Sequence, residues 1–553
     1  MTRPTSFTRD PGDVQRLRAS GEWADDTLGD RLRHLAVTRP DHLALADSRE
    51  QLTFLEYWQE VAGLAESLLE MGIKPGDRLG IVLPNRVDFP ITRLAAAEVG
   101  AVSVLLNSSW SPQQVVSALQ QSGCVGVVAA DRRGDGALGA ALGDLVGRND
   151  VLRWFAMNDA SDEATDFARM RKRSAVFPDG PRFEGAVSSP FVVDDVIFTS
   201  GTTGAPKGVM SCQARWIAGS ERQRRAGGLD TDDIGAVIGP VGGATGYLKS
   251  VVLGLATGGT IVLIEDPDPP KVLNTIERMG VTWLASLPAL TARLVRFIES
   301  ARQDSDGLDI SSLRLVFNGG APMPETLAND LHRLLDVFVM TAIGSTEAGS
   351  PAGTRLEDSR EVQSTTVGRA FDGAQMAVLA DGKVHSTGVG ELLSRGAMAF
   401  DGYLDEPAAT AELFVDGWIR HKDRVEIGSD GNIEFLGRMD DVINRGGTKV
   451  SPLEVERHSL GHPSVETCAA FAVDDADLGS RVGLAVVLRN GTNLDVQALR
   501  SFLIGRSVPR SEQPESLSFF DVLPMGPSGK VDRKRISHEW SLAVEASLRS
   551  AIC

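Results

Sequence analysis

The sequence predicts an α/β fold: a large N-terminal domain of α/β subdomains with mostly parallel sheets, a β-rich subdomain after it, and a small C-terminal α+β domain. Three observations predict it. Short β-rich runs alternate with longer helical patterns through most of the chain, the pattern of parallel sheets covered by helices. From Glu391 to Phe435 the texture changes to Gly- and Asp-rich, short β-like pieces. After Gly437-Arg-Met-Asp440 a shorter unit of roughly 110 residues begins, a common domain size.

Leu55 to Met71 carries helical periodicity, as does Pro270 to Met279. Leu79 to Leu83, Val125 to Val128, Thr260 to Ile264 and Leu313 to Phe317 read as strands. The polar stretch from Ala130 to Asp195 gives a weak pattern and reads as an irregular surface region. Val251 to Ile264 is the longest apolar-leaning stretch, but Gly254, Thr257, Gly258, Gly259 and Thr260 interrupt it. It reads as buried helix and strand, with no membrane span expected. In the last unit, Pro452 to Gly461 and Val496 to Ile504 read as helices, and Ser464 to Val473 and Val482 to Leu488 as strands. The expected domains are 1–439 and 440–553, since 553 residues exceed what one core holds.

A formal charge of −18 argues against nucleic-acid or anionic-membrane partners, whose phosphates need basic patches. Four cysteines without a CxxC pair argue against a disulfide scaffold or a zinc ribbon and favour a reducing cytoplasm. The first thirty or so residues mix Arg, Asp and Glu and do not read as a signal peptide.

The most informative segment is Val196-Ile-Phe-Thr-Ser-Gly-Thr-Thr-Gly-Ala-Pro-Lys-Gly208. An apolar strand runs directly into Thr199, Ser200, Gly201, Thr202, Thr203 and Gly204 and ends at Lys207. Glycines let a backbone approach an anion, hydroxyls and N–H groups donate to phosphate oxygens, and a lysine adds positive charge. The spacing is not that of a Walker A loop. Alone, such a loop equally describes a glycine-rich turn between two elements.

The loop is not alone. Asn318-Gly-Gly-Ala-Pro322 and Gly344-Ser-Thr-Glu347 each follow a predicted strand. Gly390-Glu-Leu392 with Arg395-Gly396, Gly402-Tyr403, and Asp416-Gly-Trp418 leading to Asp423 come next. Gly437-Arg438 with Asp440, Arg445-Gly-Gly447 with Lys449, and Pro524 with Gly529-Lys530 complete the series. In content and order these segments resemble the motifs of the adenylate-forming superfamily, which includes acyl- and aryl-CoA synthetases, luciferases and peptide-synthetase adenylation domains. The resemblance covers about residues 25 to 540 and looks closest to aryl or alicyclic acid–CoA ligases.

The resemblance implies ATP, Mg²⁺ and coenzyme A as cofactor and co-substrates. It also implies a small C-terminal domain that is mobile about a hinge at Asp440. Glu347 would hold Mg²⁺ through the phosphates, with Thr346 adding a hydroxyl. Such a role suits a carboxylate at a strand end, because Mg²⁺ takes few protein ligands. Gly319, Gly320 and Ala321 would wall the adenine. Asp423 would accept both ribose hydroxyls, with Arg438 assisting. Lys530 would bridge the reacting carboxylate and the α-phosphate as a mobile point charge. Asn318, Gly242 and Gly243 would line the acyl pocket or thiol channel, and Gly446, Gly447 and Lys449 would line that channel in the thioester-forming pose. A hairpin turn at Arg445-Gly-Gly447 is compatible with the same role.

Three departures stand out. In Pro240-Val-Gly-Gly-Ala-Thr-Gly246, Gly243 replaces the histidine of many CoA ligases, implying a wider acyl pocket or a less gated thiol channel. Ile343 replaces a tyrosine that stacks on adenine. His421-Lys422 replaces a Thr-Gly pair before Asp423. No acidic residue lies between Pro240 and Lys249 to pair with an amino-acid ammonium, which favours an amine-free acid.

The expected function is therefore an ATP-dependent ligation of an aryl, alicyclic or fatty acid to CoA through an acyl-AMP, in a monomer or homodimer. The alternatives are a freestanding adenylation enzyme that loads an acyl carrier protein and a degenerate nucleotide-binding protein. His458 and His462 have helical metal spacing but lack the zinc-protease pattern. The basic runs Arg169 to Arg173 and Arg222, Arg224, Arg225 are either solvated faces or contacts to the 3′-phosphate of CoA.

Overall fold

The computed structural model describes residues 11–131, 134–148, 152–158, 165–171, 189–199, 206–301, 309–439, 441–446, 448–475, 477–489, 491–526 and 531–552. The chain forms two compact units. The first comprises residues 1–376 and 394–419, the second residues 377–393 and 420–553. Asp440, the expected boundary and hinge, is a position of the second unit outside the described residues.

The first unit is built on two large sheets. In one, the strands Phe338–Ser345, Leu315–Asn318, Trp283–Ser286, Ile234–Val237, Thr260–Leu263 and Leu43–Ala46 run parallel side by side. Short antiparallel strands, Gln51–Thr53 and Gly349–Gly353, flank them. In the other, Val193–Thr199, Val102–Leu105, Arg78–Val82, Gly126–Ala130 and Trp154–Asn158 are parallel, with Lys207–Cys212 returning antiparallel beside Val193–Thr199.

Alternation decides which way each strand residue points. Leu315, Phe317, Phe338 and Met340 join one core, while Val316 and Val339 join another on the opposite face. Ile81, Leu105 and Ile197 of the second sheet share the first of these cores, so it is common to both sheets. Burial on both faces explains why these strands read as near-continuous apolar runs.

The helices follow their sequence signals. Phe54–Glu70 starts at a capping box, with Thr53 Oγ1 accepting from the Glu56 N–H and the Glu56 carboxylate accepting from the Thr53 N–H. Pro269–Met279 has proline in its first turn and a left-handed Gly280 after its end. Val251 to Ile264 resolves into π-helix, α-helix and strand, as its interruptions indicate.

The stretch from 130 to 195 departs from expectation. Its described residues include the helix Ala137–Gly147, which buries Leu138, Leu142 and Leu145, and the strand Trp154–Asn158. Glycines and alanines between those leucines blunt the periodicity. Arg171, in the basic run, is buried and ion-paired with Glu50, Glu60 and Asp88. Arg222 pairs with Glu22, 200 residues away in the chain, whereas Arg224 pairs with Glu221 one turn earlier on its own helix.

The strand Trp418–Ile427, which belongs to the second unit from Arg420 on, pairs antiparallel with Ile433–Arg438. A further sheet combines Val465–Asp475, Gly479–Leu488, Ile443–Arg445, Thr448–Val450 and the parallel strand Ser516–Phe519. Helices Pro452–Leu460 and Val496–Gly505 cover it, burying Val455, Leu499 and Leu503. This is the expected α+β unit. Among the described residues, no helix is long and apolar enough to cross a membrane.

Candidate adenylation site

In the first unit, three expected segments leave carboxyl ends of sheet strands, where open α/β sheets bind ligands. Val193–Thr199 leads to Ser200, Gly201, Thr202, Thr203 and Gly204, which lie outside the described residues. Thr199 and Lys207, on either side of them, are paired across the antiparallel ladder. Leu315–Asn318 leads to Gly319, Gly320 and Ala321, and the adjacent parallel strand Phe338–Ser345 leads to Thr346 and Glu347.

Glu347 is half-buried and held at both ends. The Tyr403 hydroxyl donates to its Oε1 at 2.7 Å. Its backbone carbonyl accepts from Phe400 N–H at 2.8 Å. The guanidinium of Arg215, itself buried, donates to the Thr346 carbonyl at 2.8 Å. Gly344 makes this turn possible, because a Cβ there would fall 1.8 Å from the Gly349 carbonyl oxygen.

Lys207 Nζ stands 5.1 Å from the centroid of the Tyr403 ring. One tyrosine therefore contacts a cation with its face and a carboxylate with its hydroxyl. Burial, the Glu347 charge and that hydrogen bond all raise the Tyr403 pKa, so the phenol stays protonated and a donor. Glu347 Oε2 has no protein partner among the described residues. A single hard carboxylate oxygen beside a hydroxyl residue fits Mg²⁺ held mainly through phosphates.

Tyr403 and Arg215 took no role from the sequence. Gly402-Tyr403 was visible as a motif, but its contact with Glu347 spans 56 positions. Arg215 had one signal, a charge inside the apolar run Cys212 to Ala218.

The 242–246 segment is shaped by close backbone packing. A Cβ on Gly242 would lie 2.3 Å from Leu106 O, and one on Gly246 1.9 Å from Pro240 O. Gly243 differs, since its nearest atom would be 3.7 Å away, so the position of the missing histidine is open. Asn318 is buried and accepts from Thr291 Oγ1 at 3.1 Å, on the helix Pro288–Ala301. Ile343 is buried in its strand.

In the second unit, Asp423 and Arg438 face each other across the ladder, with Arg438 Nη1 3.1 Å from Asp423 Oδ1. The departure before Asp423 has a backbone consequence: Lys422 sits at φ +58°, a left-handed conformation suited to glycine. His421 is buried, and burial followed by the Arg438 charge pushes its pKa down to about 4. Gly446, at φ +56°, lies between strands Ile443–Arg445 and Thr448–Val450, which form a hairpin. Lys449 is exposed on that hairpin. Gly447 and Lys530 lie outside the described residues. Flanking Lys530, Met525 pairs with Val531, and Asp532 N–H donates to Pro524 O at 2.8 Å.

His458 and His462 do not form a metal site. His458 approaches Glu454 and Glu512, while His462 Nδ1 accepts from Ser464 N–H and its ring packs on Phe502. Among the described residues, no group of three His, Cys, Asp or Glu side chains is placed to hold a metal ion.

Residues 32–404 match the AMP-binding enzyme family, and residues 454–530 match the AMP-binding enzyme C-terminal domain. The chain belongs to the AMP-binding enzyme family. Its relatives include a salicylyl-CoA synthase / salicylate adenylyltransferase from a Streptomyces species, 31% identical over 95% of each chain. A feruloyl-CoA synthase from an Amycolatopsis species is 30% identical, covering 89% of this chain and 94% of the relative. The apo structure of MbtA from Mycobacterium smegmatis superposes with a TM-score of 0.70 at 29% identity, covering 96% of this chain and 98% of that one. This AMP-binding enzyme is an ATP-dependent, acyl-adenylate-forming ligase of the acyl-CoA synthetase type.

Proposed function

We propose that this AMP-binding enzyme activates an amine-free aryl or alicyclic carboxylic acid and transfers the acyl group to coenzyme A. The grouping of Glu347, Tyr403 and Lys207 carries the reading. Attack of a carboxylate on the α-phosphorus of ATP brings two anions together, so the site must neutralise charge as the bond forms. Lys207 supplies a fixed cation. Tyr403 and the buried Arg215 hold Glu347 in the orientation needed to carry Mg²⁺, which when bound adds positive charge to the phosphates.

In the first step a carboxylate oxygen bonds to the α-phosphorus, and the bond from that phosphorus to pyrophosphate breaks. In the second step the CoA sulfur, having lost its proton, bonds to the acyl carbon, and the bond from that carbon to AMP breaks. Asp423 accepts the ribose hydroxyls beside Arg438, and Gly319, Gly320 and Ala321 flank the adenine. The hydroxyls and glycines of 199–204 hold phosphate oxygens, and Lys530 bridges the reacting anions. Reorientation of the C-terminal segment at Asp440 then exposes the adenylate to the thiol, which passes Gly446, Gly447 and Lys449.

The substrate class rests on the absence of an acidic residue from 240 to 249 and the open space at Gly243, with two relatives named for aryl acids. The test is pyrophosphate release over aryl, alicyclic and fatty acids, with and without CoA. CoA-dependent turnover on aryl or alicyclic acids is expected, and Lys530→Ala should lose adenylation while keeping its fold. A single pyrophosphate burst unaffected by CoA would replace CoA with a carrier protein as acceptor. Preference for fatty or amino acids would refute the substrate assignment.

A further inference from the structure

Lys249 is an anomaly for which adenylation has no use. It is only 4% exposed, yet among the described residues no carboxylate lies within ion-pair distance of it. Its Nζ donates to Gln223 Oε1 at 2.5 Å and stands 3.1 Å above the centroid of the Phe317 ring. Those two contacts use one of its three donors and a ring face, and they return only part of the cost of burying an ammonium. Burial accordingly pushes its pKa well down. A methionine would fill the same volume without that cost.

Its place in the fold says what the charge faces. Lys249 lies in the π-helical turn Leu248–Val252, which continues the short helix Ala244–Tyr247. Turns of that kind are uncommon and concentrate at functional sites. One turn earlier on the same helix, Thr245 is exposed, and its Cγ2 would touch a Cβ on Gly319 at 3.8 Å. Thr245 thus faces Gly319 while Lys249 faces Phe317, two residues back along the same strand run. Gly243 is half-buried and Thr245 and Gly320 are exposed, so the helix start and the strand end border an opening to solvent, and Lys249 follows one helical turn on.

We propose that Lys249 is a specificity residue for the acid: the substrate body carries a second oxygen acceptor able to bear negative charge, a phenolic hydroxyl or a second carboxylate, which enters by this opening and is received by Lys249. This rests on the reading of the protein as an acid-activating ligase and narrows it. The remaining donors of Nζ are then filled, and the ammonium gains the counter-charge it lacks. An acid without such a group would leave donors of the buried Lys249 amine unfilled, the situation in which polar pockets discriminate most strongly. A substrate ammonium would be repelled, in keeping with an amine-free acid.

The test compares benzoate and cyclohexanecarboxylate with the monohydroxybenzoates, the benzenedicarboxylates and the cyclohexanedicarboxylates, by pyrophosphate release with the full-length enzyme and with Lys249→Met. In the wild type the best hydroxy- or dicarboxylic acid should exceed its plain parent in kcat/KM by about 10- to 100-fold, the range expected for a hydrogen bond to a charged group. Lys249→Met should bring that ratio near one through loss of kcat/KM for the hydroxy- or dicarboxylic acid. The hydroxybenzoate and dicarboxylate arms show which acceptor the site takes. A wild-type ratio near one would overturn the assignment whether or not the variant folds. An unchanged ratio in a folded variant would also overturn it. Silence of the wild type with every acid would instead overturn the acid-activating reading on which it rests.

Discussion

Tyr403→Phe isolates a single hydrogen bond in the candidate adenylation site. The variant keeps the ring 5.1 Å from Lys207 Nζ and removes only the hydroxyl that donates to Glu347 at 2.7 Å. A hydrogen bond to a charged group contributes about 1.5–3 kcal/mol, or roughly 10- to 150-fold in rate if the whole of it is lost at the transition state. Glu347 is half-exposed, so water will replace part of the bond, and the lower part of that range applies, about 10- to 30-fold. The assay is pyrophosphate release from ATP and acid, set beside thioester formation from a supplied acyl-adenylate. Adenylation should fall by that factor with a raised Mg²⁺ requirement, while the thioester step stays within about twofold. A loss below about threefold, or an equal loss in both steps, would show that Tyr403 does not orient Glu347 for adenylation.

Gly344→Ala places a Cβ 1.8 Å from the Gly349 carbonyl oxygen, so the turn carrying Thr346 and Glu347 must move; adenylation should drop at least about 100-fold with secondary structure by circular dichroism retained. Lys422→Gly relieves a left-handed lysine and should stabilise the protein by about 1 kcal/mol in urea unfolding. His421 is held neutral down to about pH 4, whereas in the unfolded chain it takes up a proton near pH 6.5. The unfolded state therefore binds more protons between those values, and stability is lost as pH falls through that window, by at most about 3 kcal/mol. His421→Asn should flatten that slope in melts recorded from pH 7 to pH 4, and an unchanged slope would assign it to other groups.

Much of this molecule is legible in one sequence. Strand–helix alternation gave the parallel sheets because burial on both faces demands continuous apolar strands between amphipathic helices. The helix starts at Phe54 and Pro269 follow from a capping box and a leading proline, which act within one turn of chain. The motif order pointed to Glu347, Asp423 and residues 319–321 as candidate site residues, since strand ends and glycine turns are local features. The helix Ala137–Gly147 escaped notice because its alanines and glycines carry little hydrophobic contrast.

Only the tertiary structure decided the partners. Tyr403 reaches Glu347 and Arg215 reaches Thr346 across separations of 56 and 131 residues, which no local periodicity encodes. The basic runs at Arg171 and Arg222 read as solvated faces or CoA contacts, and packing shows both arginines ion-paired with carboxylates of the protein. The isolation of Lys249 from every described carboxylate depends on which side chains surround it. The sequence by itself determined the elements and the family chemistry, because those depend on residue order along the chain. The charge pairing and the burial of Lys249 beside Gln223 and Phe317 are set by distance in space, which folding alone determines.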